Sequence, residues 1–231
     1  MNPNVSVEEL VFMLLGISFS ESNDSNVLDA CIDKAYRDLC RTINYKFSLS
    51  KLYSKSKEER QVFLENKNIF YQNIKNILHN DIAYILLNPR IDYDGWHKEL
   101  CEKIGKVDAK NLIDGDGHLS IGQAQKWINM TVKYMRIIGK WNNDINGVHI
   151  PIDTFIIDAA SIDSSCEILE GFGVNGLGVK KSYELQQWSK ISDYNTYFEY
   201  QNELRKACIS QPLVQWESKA WMAEAVKHSQ D

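Results

Sequence analysis

Lys126 and Asp153 are the residues of this chain whose types and settings come closest to a reaction centre. Lys126 follows Ser120-Ile121-Gly122-Gln123-Ala124-Gln125, and Asp153 stands 27 residues later in Pro151-Ile152-Asp153-Thr154. Small residues at Gly122 and Ala124 let backbone amides come close to an anion, and a helix beginning there adds its partial positive charge, which together make a phosphate site. Lys126 then falls in the first turn. No acid occurs between Gly117 and Asn143. At 100° per residue, Lys126, Asn129, Lys133, Arg136 and Lys140 lie within about 80° of one another on a helix. Trp127, Met130, Tyr134, Ile137, Ile138 and Trp141 take the neighbouring arc, so the helix is expected to be buried on one side and cationic beside it. A solvated lysine stripe explains the charge alone better than a binding face does; the small residues at the helix start are what point to an anion.

Other motifs carry less. Leu112-Ile113-Asp114-Gly115-Asp116-Gly117-His118 resembles part of a calcium loop. With Gly117 as the turn glycine, however, the first ligand position falls on Leu112 and the closing one on Gln123, so a polar turn is expected. Gly171-Phe172-Gly173-Val174-Asn175-Gly176 matches GxGxxG literally, but the run Ile168 to Glu170 before it reads as helix rather than strand, and a helix-terminating loop is the better reading. His79, His97, His118, His149 and His228 are scattered, with no HExxH or nucleophile-elbow spacing. Trp216 and Trp221 sit near helical spacing and read as core.

The order of small-residue hairpin, lysine and later apolar-Asp-Thr resembles the helix-hairpin-helix signature of the DNA glycosylase superfamily. Gln125-Lys126, Val132-Lys133-Tyr134-Met135 and Pro151-Ile152-Asp153 look closest to its archaeal 8-oxoguanine DNA glycosylase/AP lyase branch. The resemblance implies an all-α fold of two helical lobes flanking a cleft, with the 119–127 hairpin at one lip and Asp153 at the other. It implies Lys126 as nucleophile and Asp153 as the carboxylate that assists it. Gly122, Gln123, Ala124 and Lys133 would hold the DNA backbone, and damaged double-stranded DNA would be the partner, with no metal and no cofactor. Trp127, Trp141, Phe155, Trp188 and Tyr194 are candidates to stack on an extruded base, and Gln123 or Asn129 to bond its edge. Two other function classes stay open: a helix-hairpin-helix DNA-binding module without catalysis, and a helical interaction or regulatory protein, the latter suggested by the acidic balance of the whole chain.

The elements that must position these residues follow from apolar spacing. Segments 6–17, 25–44, 57–87, 95–105, 123–141, 183–206 and 212–228 repeat apolar residues at three and four, and strand-like alternation is almost absent. The one irregular stretch is expected at 106–122, and Asn142, Asn143, Asn146 and Gly147 suit the turn that brings the chain back toward Asp153. At 231 residues, with 44% hydrophobic and 25% charged residues, the chain is expected to form one compact, monomeric unit of two interleaved lobes, the catalytic segment spanning about 106–157. The five cysteines show no CxxC pair, Leu10 to Ile17 is too short for a membrane span and follows two acids, and an intracellular setting is expected. A net charge of -5 does not itself advertise nucleic-acid binding.

Overall fold

The computed structural model describes residues 6–18, 20, 22–141 and 147–230. Within them the protein is all-α: α1 (Val7–Leu15), α2 (Asp24–Leu39), α3 (Leu49–Tyr53), α4 (Lys57–Leu87), α5 (Tyr93–Gly105), α6 (Ile121–Ile137), α7 (Thr154–Ser161), α8 (Tyr183–Gln186), α9 (Tyr194–Ala207) and α10 (Leu213–Gln230). Short 3₁₀ turns lie at Cys40–Thr42 and Trp188–Lys190. Extended pairing among the described residues is limited to two isolated bridges, Tyr45 with Ile113 and Glu167 with Asn175. No described helix is long and apolar enough to cross a membrane.

Helix starts coincide with side chains that can accept the first free amides. Ser56 caps α4 in a reciprocal pair with Glu59, and Ser120 does the same for α6 with Gln123. Asn23, Asp92, Asp153 and Asp193 cap α2, α5, α7 and α9. α4 ends at Leu87, two residues before Pro89, whose ring disfavours the helical conformation in the residue before it.

The centre of the fold is α6. It packs on α2, α5, α9 and the Trp188–Lys190 turn, while α7 packs on α10 and α4 lies against α2 and α5. Trp127, fully buried, stacks with Tyr71 at a centroid distance of 6.1 Å and donates its indole N–H to the Ile32 carbonyl of α2 at 3.1 Å. It is a core residue, out of reach of any extruded base.

Several expectations are corrected. Residues 121–127 form the first turns of α6 rather than a hairpin. The run expected as one helix over 183–206 is two helices and a 3₁₀ turn, because Asp193 accepts the Thr196 amide and starts a new helix. Residues 44–48, 147–153 and 162–182 are irregular as well as 106–120. No helix precedes the GxGxxG-like run; Glu167 pairs with Asn175 across it, and Gly171 and Gly173 adopt positive φ values of 83° and 62°. α3 and α7 were not expected as helices. Asn142, Asn143 and Asn146, expected to turn the chain, lie outside the described residues.

Candidate functional site

Lys126 sits in the second turn of α6 and Asp153 caps α7, and the structure brings them together. The Lys126 ammonium donates to Asp153 Oδ2 at 3.0 Å, with only 5% of the lysine side chain and 13% of the aspartate exposed. Asp153 Oδ1 meanwhile accepts the Ile156 amide at 3.1 Å, so one carboxylate oxygen fixes the helix and the other holds the amine. The Trp188 ring covers Lys126 Nζ at 4.7 Å from its centroid. Of the five aromatic candidates for base stacking, Trp188 is the one seated on the lysine. Phe155 stacks on His228 and packs on Trp221, and Tyr194 belongs to a buried cluster around His97. Trp141 is buried beside Tyr93.

The amides assigned to an anion are engaged inside the chain. Gly122 N–H donates to the Ile191 carbonyl at 3.0 Å, Gln123 N–H to Ser120 Oγ at 3.0 Å and Ala124 N–H to the Ser120 carbonyl at 2.9 Å. A Cβ on Gly122 would stand 1.7 Å from the Trp188 carbonyl oxygen, so the small residue is required by the close passage of the Trp188–Ile191 turn. The Gln123 side chain closes the capping box and donates to the Thr42 carbonyl at 2.7 Å.

The cationic stripe is not a free face. Lys133 is half-buried against α10, its ammonium 2.6 Å from Glu217 Oε1 and 5.5 Å from the centre of the Trp221 ring. Arg136 donates to the Val214 carbonyl and to Ser218 Oγ, and Lys140 pairs with Asp24 at 2.6 Å. Glu217, 1% exposed, is a site residue that sequence reasoning missed. Burial pushes its carboxyl up, Lys133 pulls it down, and the Asp153 charge pushes it up again, which places Glu217 within electrostatic reach of the Lys126–Asp153 pair. Its signal in the sequence is slight, an acid beside Trp216 on the mixed polar and apolar sequence of α10.

Behind the pair lies a closed polar network. Asn129 Nδ2 lies within 3.1 Å of Gln125 Oε1, the Ile150 carbonyl and Tyr197 Oη, and its Oδ1 is 3.0 Å from His97 Nε2. His97 Nδ1 meets the Tyr194 hydroxyl at 2.9 Å, while His149 lies between Tyr197 Oη and Asp94 Oδ1, 2.8 Å from each. Arg205 completes the set with both Asp94 oxygens at 3.2 and 2.9 Å. Burial favours the neutral form of both imidazoles, and in that form the Nε2–H groups face the Asn129 and Asp94 oxygens while each Nδ1 faces a tyrosine hydroxyl.

The network makes stability acid-sensitive. Burial pushes the His149 imidazole down from 6.5 to about 4, against the pull of Asp94, and burial together with His149 drives His97 in the same direction. Burial raises the Asp94 carboxyl, but the bonds from His149 and Arg205 outweigh it and hold Asp94 below the carboxylate range. Between pH 6.5 and about 4 the unfolded chain binds a proton at His149 that the folded chain does not, so stability must fall as pH falls through that window. Urea midpoints measured from pH 7 down to 4.5 are expected to decline, and His149→Gln is expected to flatten the decline.

Comparison with protein-family models, with curated proteins and with solved structures returned no match. The fold of the described residues defines an all-helical protein in which a buried lysine from the second turn of α6 meets a half-buried aspartate that caps α7.

Proposed function

We propose that the protein is a DNA glycosylase with AP lyase activity, using Lys126 and Asp153 on a damaged base in double-stranded DNA, with 8-oxoguanine the favoured lesion. The observation that carries the reading is the 3.0 Å contact between an almost fully buried lysine and a helix-capping aspartate 27 residues away. Asp153 would take a proton from the Lys126 ammonium. The free amine would then attack the anomeric carbon as the base leaves with the bonding electron pair and takes up the proton held by Asp153, and loss of the ring oxygen from that carbon gives the Schiff base that opens the way to strand scission. Once that proton has passed to the departing base, the Asp153 carboxylate would also stabilise the positive charge on the sugar. The chemistry as written needs no metal.

The reading requires the Trp188–Ile191 turn to withdraw. While it is in place it covers both Lys126 and the Gly122 amide, and with it moved aside Trp188 would wall a cleft opening over Lys126. A contact to the DNA backbone from Gly122 would depend on the same movement, and contacts from Gln123, Ala124 and Lys133 on release of their partners Ser120, Thr42 and Glu217. Incubating the purified protein with duplexes each carrying one defined lesion tests the reading: one lesion, 8-oxoguanine first, should be released, and absence of release from every duplex would remove it.

A second reading is favoured by the internal neutralisation of Lys133 and Lys140. In it the chain is a helical interaction protein and Lys126–Asp153 is a strut between α6 and α7. DNA affinity that falls steeply with rising salt would contradict it, since phosphate neutralisation releases counterions.

A further inference from the structure

The segment Ile150-Pro151-Ile152 that leads into Asp153 belongs to no helix and pairs with no strand, and Ile150 and Ile152 are fully buried. Such a segment leaves peptide groups that must find partners elsewhere. Here side-chain amides take the place of a neighbouring strand. Gln125 accepts the Ile152 N–H at 3.2 Å and donates to the Ile152 carbonyl at 3.0 Å, pairing both polar groups of the residue directly before Asp153. Gln201 of α9 does the same for Ile150, accepting its N–H at 3.4 Å and donating to its carbonyl at 2.6 Å. Pro151 between them has no N–H to satisfy.

We infer that Gln125 is the positioning residue of the site: its amide grips Ile152 so that Asp153 arrives against the amine of Lys126, its own neighbour on α6. The Gln125 side chain is fully buried, and its remaining bonds, to the Gly122 carbonyl at 2.9 Å and from Asn129 Nδ2 at 3.0 Å, fix its orientation. α6 thus carries both the reacting amine and the clamp that delivers its partner, and the spacing between them is set by one helix. Gln201 acts two residues upstream of Ile152 and supports the segment without touching the peptide that bears on Asp153. The inference rests on the glycosylase reading, but the clamp itself is open to a measurement that needs no activity.

The experiment compares the unaltered protein with Gln125→Met and Gln201→Met, variants that keep side-chain length and remove comparable sets of hydrogen bonds. Three quantities are read: single-turnover base release on a duplex carrying 8-oxoguanine, affinity for that duplex, and the ¹⁵N resonance of the Lys126 ammonium. Gln125→Met is expected to slow base release about 10²-fold, the scale of an ångström-level misplacement, with unchanged DNA affinity and a shifted Lys126 resonance. Gln201→Met should change each less. Should Gln125→Met fail to fold, Gln125→Asn, one methylene short of Ile152, carries the same comparison. If the Gln125 variant releases base at the unaltered rate with its Lys126 resonance unmoved, the clamp is overturned and the glycosylase reading stands. If no form of the protein releases any base, the glycosylase reading falls; an unmoved Lys126 resonance would then overturn the clamp as well, and a shifted one would sustain it.

Discussion

Lys126→Gln is expected to abolish base release and strand scission while leaving a folded, less stable protein. The amide has no nucleophilic nitrogen, so no Schiff base can form. The substitution also leaves Asp153 with its helix-capping bond but no cation, in a position only 13% exposed. Removing one partner of a buried pair costs about 3–5 kcal/mol, because the remaining charge is left uncompensated. The expected signature is therefore double: no product at any enzyme concentration, and a urea midpoint lowered by an amount consistent with that loss. DNA affinity should change little, since Lys126 lies beneath Trp188 rather than on an outer face. Product formation at the unaltered rate would show that the amine is not the nucleophile.

Asp153→Asn is expected to slow base release by about 10²–10³-fold, the usual effect of removing an electrostatic contact made where charge develops. Asparagine keeps an oxygen for the Ile156 amide, so the start of α7 is preserved and the loss isolates the charge. Asp153→Ala removes the cap as well and should cost about 1 kcal/mol more in stability without a matching further loss of rate. Comparing the two variants by single-turnover kinetics and by denaturation separates the two duties of one side chain.

The helix inventory was largely legible because apolar residues recur at three and four along the chain. For α4 the expected bounds, 57–87, coincide with those observed, where the Ser56–Glu59 capping pair starts the helix and Pro89 follows its end. Asp193 carried the same signal for α9, yet the apolar period running through Tyr183 to Arg205 obscured it. The Lys–Asp pairing was suggested by motif order, whereas the fate of the basic stripe was hidden. Its acids come from 27, 84 and 116 residues away, at Asp153, Glu217 and Asp24, and no local period reports such distances. One local sign was present: Lys126 is the only charged residue from Ile121 to Val132, as expected of a helix enclosed on most sides. The amides that grip Ile150 and Ile152 were invisible for a related reason, since Gln125, Asn129 and Gln201 have surface-type side chains and only the tertiary fold encloses them.

The central claim is that the Lys126 amine forms a covalent bond to the sugar of a damaged nucleotide. Borohydride reduction during turnover on an 8-oxoguanine duplex, followed by proteolysis and mass spectrometry of the adduct, tests it most directly. The account predicts a trapped protein–DNA complex whose adduct maps to Lys126. A reaction that releases the base without any trapped complex, or an adduct mapped to another amine, would contradict it.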